Sequence, residues 1–299
     1  MKTKMMVAAA LLAISGAQAQ TADTLKKIKD SSAVTMGVRE TSGALSYTLG
    51  SGVYAGYHVE ICQRVLADIQ KQLGLAKLEI KYQPVTSQNR IPLVQNGTVD
   101  IECGSTTNNA VRQKDVAFAV TTFVEEVRIA VKANSGINSI ADLVGKKVAT
   151  TTGTTSVQTL RKHERANNVS FEEIYGKDHA DSFLLLESGR ADAFVMDGQI
   201  LAGNIAKAKS PADFRIAGEV LSVEPIAIMF RKDDPAFKKA VDDSIKAMMK
   251  SGDIAKVWDK WFMQPIPPSN TKVGLAVSAS TKEAWANPTD KPAEDYAKK

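Results

Sequence analysis

Short apolar strands alternate with helix-patterned segments along almost the whole chain, and no other feature limits the fold as much. Residues 34–39 read as a strand ending in the polar cluster Arg39, Glu40, Thr41 and Ser42. After a hairpin turned by Gly50, Ser51 and Gly52, the residues Ile61, Val65, Leu66, Ile69 and Leu73 recur at helical spacing until Gly74 stops them. A strand over 78–85, a short helix bearing Arg90 and a strand over 99–101 follow. A second series begins after 127–132, with strands over 146–150, around Ile174 and over 193–197, separated by helical segments. A late strand over 225–230 and two helices between Pro235 and Phe262 complete the pattern, and the tail from Pro265 is expected to wrap the surface. This alternation predicts an α/β fold of open sheets flanked by helices. About 280 residues lie beyond a short leader, which suits two lobes better than one core.

In open α/β sheets, ligands bind outside the carboxyl ends of the strands. Polar clusters follow strands at Arg39, Ser87, 105–112, 152–156, His179 and Asp197. The richest is 105–112. Ser105, Thr106, Thr107 and Asn108 are all N-cap types, so the stretch predicts a hydroxyl-rich turn into a helix carrying Arg112. Backbone N–H groups, hydroxyls and a guanidinium fork in one place can hold a carboxylate or a phosphate. The plainer reading is a capped helix whose Arg112 pairs with Asp100 or Asp115, and Asp197 alone reads equally well as a turn cap. Several clusters at strand ends together favour a ligand crevice.

The chain opens on Lys2 and Lys4, an apolar run over 5–14 and the small-x-small site Ala17-Gln18-Ala19. These read as an export signal over 1–19, cleaved after Ala19. The run is well short of the roughly 20 residues that span a bilayer. No cysteine stands near the cleavage site to take a lipid, so a free periplasmic protein is expected. Cys62 and Cys103 fit a disulfide and two buried thiols equally. Lys and Arg total 38 against 33 Asp and Glu, and aromatic residues are 6%, which argues against a nucleic-acid partner. His58, His163 and His179 lack metal-ligand spacing, so no metal or cofactor is expected. The glycine turn at Gly153 lacks the lysine of a Walker phosphate loop.

The landmarks Thr86-Ser-Gln-Asn-Arg-Ile-Pro-Leu93, Glu102-Cys-Gly-Ser-Thr-Thr-Asn-Asn109, Gly153-Thr-Thr-Ser156, Lys177-Asp-His179, Leu186-Glu-Ser-Gly-Arg190 and Pro265-Ile-Pro-Pro268 occur in this order. In them the chain resembles the periplasmic amino-acid-binding proteins of ABC transporters (solute-binding protein family 3), and within these the glutamate/aspartate-binding subgroup. Thr107 and Arg112 stand five apart, as in that subgroup. The segment between Arg39 and Glu60 departs from the pattern, as does Ile228 where a cysteine is expected. The resemblance implies a two-lobed periplasmic binding protein fold, each lobe an open mixed sheet flanked by helices, joined by a two-crossover hinge. Lobe one is expected over 20–124 and 224–299, and lobe two over 125–223. The resemblance further implies a non-enzymatic monomer that takes L-glutamate or L-aspartate between its lobes and delivers it to a membrane permease.

The residues suit that chemistry. Arg112 offers a fork for an α-carboxylate, with Thr107 beside it. Asp197, with Ser105, offers acceptors for an ammonium. Thr154 and Thr155 precede a lobe-two helix and can clamp a carboxylate on closure. Arg39, Arg90 and His179 are more positive charge than a neutral amino acid needs, and burying them without anions is costly. A second carboxylate on the ligand offsets that cost, and the resemblance assigns Arg39, Ser87, Arg90 and His179 to it. Glu40 is the alternative partner for Arg39. Tyr47, Tyr54 and Tyr57 suit a cleft wall or a core. The competing class is a periplasmic dehydratase of the cyclohexadienyl (arogenate/prephenate) type on the same fold. It needs a cleft acid of raised pKa, for which Glu172 or Glu173 can be nominated without any partner pattern.

Overall fold

The computed structural model describes residues 23–296, so the expected leader and its cleavage after Ala19 lie outside the described residues. Two five-stranded sheets organise the chain into two lobes. In the first, Glu79–Pro84, Ala33–Val38 and Ile101–Glu102 run parallel. Met229–Arg231 then pairs antiparallel with both Ile101–Glu102 and Val116–Phe118. In the second, Glu172–Gly176, Lys147–Thr151 and Ala193–Asp197 run parallel, and Phe123–Lys132 and Phe214–Ile226 add antiparallel strands. The chain passes between the sheets twice, after Val116–Phe118 and after Phe214–Ile226. The two crossovers lie side by side, with Phe123 opposite Ile226, Val124 opposite Pro225 and Glu125 opposite Glu224.

Helices cover the sheets because the central strands are apolar on both faces. Val127, Ile129, Val131, Val148 and Val195 enter one apolar layer of the second lobe, while Ala130, Ala149, Phe194 and Met196 enter the other. That two-residue alternation fills both faces, as parallel strands require. In the first lobe the Tyr57–Gln72 helix packs against Pro235–Ser251, and Tyr57, Trp258, Phe262 and Phe123 form its aromatic centre. Gly56 starts the Tyr57–Gln72 helix at φ +133°, where a Cβ would lie 2.5 Å from the Leu45 carbonyl oxygen. Only glycine fits that approach. Asp234 caps Pro235–Ser251 by accepting from the Phe237 N–H, with Pro235 at the first turn and Gly252 closing the helix in the left-handed region.

Three features differ from the sequence expectation or settle what it left open. The 105–112 stretch does not start a long helix: only Arg112–Lys114 form a single 3₁₀ turn. The cause is pairing with the returning crossover, since Asn108 N–H donates to Pro225 O and Ala227 N–H to Thr106 O. The tail does more than wrap the surface. Its Ala279–Ala286 helix buries Thr281 and Ala284, and Trp285 Nε1 donates to Thr122 O at 2.8 Å. Cys62 and Cys103 form a disulfide, tying the Tyr57–Gln72 helix to the loop that carries Ser105 and Thr107.

Candidate functional site

The polar clusters of the two lobes meet at one small cavity. Lobe one contributes Ser87, Arg90, Ser105 and Thr107 to its lining, and lobe two contributes Thr154, Thr155, His179, Met196 and Asp197. Each lobe-two side chain is delivered by the carboxyl end of a strand or the start of the helix after it. Lys147–Thr151 leads to Thr154 and Thr155, Glu172–Gly176 to His179, and Ala193–Asp197 ends on Asp197.

Three guanidiniums converge from lobe one. Arg39 and Arg90 are 2% exposed and Arg112 is 8% exposed. Arg39 Nη2 donates to Ser87 Oγ at 2.8 Å and Nη1 to Ser105 Oγ at 3.4 Å. Arg90 Nη1 donates to Ser105 O at 3.1 Å, and its Nε has no hydrogen-bond partner. Arg112 reaches across the cleft: Nη1 donates to Thr107 O at 2.9 Å and Nη2 to Gly153 O at 3.4 Å in lobe two. Among the described residues none of the three makes an ion pair. Glu40 is exposed and does not meet Arg39, and Asp100 pairs with Lys27 rather than Arg112. Burial, and Arg90 next, pull Arg39 and Arg112 below the ordinary arginine range.

His179 adds a lone pair to this group rather than a charge. Its Nε2 faces Arg39 Nη2 at 3.3 Å and its Nδ1 faces Thr151 Oγ1 at 3.0 Å. Arginine can only donate, so Nε2 accepts and Nδ1 carries the proton. Burial, then Arg39 and Arg90, hold its pKa well below the ordinary value. Counting His179 as a cation beside Arg39 and Arg90 is therefore corrected; with Arg112, three positive charges and not four converge on the cleft.

The threonines also divide. Thr154 turns its hydroxyl back to Thr151 O at 2.7 Å, which is turn closure. Thr155 opens the Thr155–Asn167 helix and gives its hydroxyl to Glu224 Oε2 at 2.7 Å. Asp197 precedes the Gly198–Lys207 helix but makes no side-chain cap bond, so a turn-cap role does not account for it. Tyr47 and Tyr57 belong to the lobe-one core, and Tyr54 packs against Tyr82 at its margin. Glu172 and Glu173 lie on the outer strand of the second sheet, beside Lys147 and Arg161 and away from the cavity.

Sequence reasoning missed three buried carboxylates around the site, Glu102, Glu125 and Glu224. Glu102 Oε2 accepts from Thr106 Oγ1 at 2.7 Å. Glu125 lies on one crossover and accepts from the Glu126 N–H at 2.9 Å; burial, then Asp197, raise its pKa well above the ordinary value. Glu224 lies opposite it on the other crossover. Only Glu102 carried a readable signal, since it ends a strand just before the 105–112 cluster; Glu125 and Glu224 are buried by the pairing of two crossovers far apart in sequence.

Comparison with known proteins fits this architecture. The family model of bacterial extracellular solute-binding proteins, family 3, matches residues 34–264. The chain is 46% identical over 290 residues to an L-glutamate/L-aspartate-binding protein of Pseudomonas aeruginosa, covering 96% of each. It is 43% identical to a glutamate/aspartate import solute-binding protein of Escherichia coli, covering 94% of this chain and 95% of the other. A crystal structure of a mutant ArgBP from T. maritima superposes with a TM-score of 0.72 at 26% identity, covering 81% of this chain and all of that one.

Proposed function

The chain belongs to the bacterial extracellular solute-binding proteins of family 3, and we propose that it captures L-glutamate or L-aspartate between its lobes for delivery to an ABC-transporter permease. It is a solute-binding protein and not an enzyme; its close relatives are named for binding and import, and the dehydratase reading is not favoured. In this reading it acts in the periplasm after loss of residues 1–19, as a monomer. Lobe one comprises 20–124 and 224–299, and lobe two 125–223.

One observation carries the ligand assignment: three buried guanidiniums converge on the cleft, Arg90 on the cavity wall and Arg39 and Arg112 bonded to residues that line it, and none is in ion-pair contact among the described residues. Burying charge without a contacting partner costs several kcal/mol per ion. Glu102, Asp197 and Glu224 offset part of that cost at a distance, and anionic groups on the ligand supply the direct partners the guanidiniums lack. Arg112 takes the α-carboxylate, with Thr107 and the start of the Thr155–Asn167 helix beside it. The side-chain carboxylate lies against Arg39, Ser87 and Arg90, and His179 acts through Arg39, whose guanidinium it orients from its Nε2 lone pair. Asp197 and Ser105 accept from the ammonium, and Thr154 holds the lobe-two turn.

Calorimetric titration of L-glutamate and L-glutamine into wild type, Arg112→Ala and Arg90→Met tests this. Wild type is expected to prefer glutamate strongly. Arg112→Ala should lose both ligands, whereas Arg90→Met should weaken glutamate at least tenfold and narrow its lead over glutamine. Equal wild-type affinity for the two ligands would sink the reading.

A further inference from the structure

Glu224 is 4% exposed on the returning crossover, and none of the roles above uses it. Its Oε2 accepts from the Thr107 hydroxyl of lobe one at 2.5 Å and from the Thr155 hydroxyl of lobe two at 2.7 Å. Its Oε1 accepts from Ser222 Oγ at 2.9 Å. A threonine hydroxyl has one proton to donate, and a carboxylate can only accept. Both protons are therefore turned towards the same carboxylate oxygen. What Thr107 and Thr155 present to the cavity is lone pairs, on two oxygens 3.5 Å apart. Asp197 lines the same cavity and adds a further acceptor.

Two acceptor oxygens beside a carboxylate repel a ligand carboxylate and attract a cation with several protons. We propose that Glu224 is a positioning residue that fixes the Thr107 and Thr155 hydroxyls as acceptors, so that with Asp197 they seat the ligand's α-ammonium and discriminate against solutes lacking one. This rests on the amino-acid reading above and deepens it. It also changes the expected part played by the two hydroxyls, from donors to a carboxylate into acceptors from an amine. Arg112 and backbone N–H groups remain for the carboxylate.

The test compares L-glutamate with glutarate, the same dicarboxylate without the ammonium. Calorimetry is run on wild type, Glu224→Met and Thr155→Val. Methionine at 224 fills a similar volume but offers no acceptor oxygen, which frees both hydroxyl protons to face the cavity. Wild type is expected to prefer glutamate at least a hundredfold. Glu224→Met should narrow that ratio at least tenfold by weakening glutamate, with glutarate unchanged or tighter. Thr155→Val removes one oxygen without altering charge and should narrow the same ratio. The two substitutions combined should be non-additive, because both remove the bond between Thr155 and Glu224. Equal weakening of both ligands by Glu224→Met, no change in either, or wild-type affinity as high for glutarate as for glutamate overturns the proposal. Should wild type bind a different amino acid, the acidic specificity fails separately. The same ratio is then measured for that amino acid and its deaminated counterpart.

Discussion

Asp197 ends its strand at the cavity wall with its side chain outside any helix cap. Burial first, and the neighbouring Glu224 second, push its carboxyl up from the ordinary 3.8 to about 7. The folded protein thus holds this proton more tightly than the unfolded chain does. On that account the group disfavours folding as pH rises from its unfolded value towards 7, a cost absent at lower pH. Seating an ammonium needs the ionised form. Amino-acid affinity is therefore predicted to be full above pH ~7 and to fall by about tenfold per unit below it. Titrations at about pH 8, 7 and 6 check this, and Asp197→Asn should flatten the profile while weakening binding at the highest pH. A flat wild-type profile counts against Asp197 as the ammonium acceptor. Asp197 is legible in sequence because it ends an apolar strand, and Arg90 and Arg112 because each stands in a polar cluster that follows a strand. Glu125 and Glu224 are not, because a charged residue beside a strand ordinarily reads as solvated, and only the pairing of two distant crossovers buries them.

The two lobes also touch at a contact between elements outside the ligand cavity. Gly43, in the lobe-one hairpin, lies against Gly203 of the lobe-two helix Gly198–Lys207. A Cβ on Gly203 would stand 3.3 Å from Gly43 Cα, and one on Gly43 would stand 2.3 Å from Gln199 Oε1. Gly203→Val is predicted to prop the lobes apart and weaken ligand binding about tenfold. Valine suits a helix interior better than glycine, so the unliganded protein should unfold at the same or a higher temperature. Calorimetry and thermal unfolding together separate these effects; a variant that binds as tightly as wild type removes the contact from closure. The alternation of strands and helices was readable because burial on both faces imposes it residue by residue. The 105–112 loop was not, since its cap residues are good helix starters and only the crossover bearing Pro225 claims their backbone groups. Pairing of Cys62 with Cys103 was equally unreadable, because it needs Cα atoms 6.4 Å apart across 41 residues of chain.

For the molecule as a whole, the ligand's charges must complete what two separate lobes begin. Lobe one carries the buried cations, lobe two carries Asp197, and the paired crossovers with Glu125 and Glu224 lie between them. The tail fastens to the same junction: Thr121 N–H donates to Thr289 O, and Val124 N–H to Thr281 Oγ1 at 3.1 Å. A solute that bridges the lobes stabilises the folded protein through binding linkage, by about 2.7 kcal/mol at a concentration 100 times Kd. The most direct measurement is the thermal unfolding midpoint of the purified protein with each of the twenty amino acids in turn. L-Glutamate and L-aspartate are predicted to raise it, while glutamine, asparagine, arginine and histidine leave it in place. A rise with a neutral or basic amino acid, and none with glutamate or aspartate, contradicts the account.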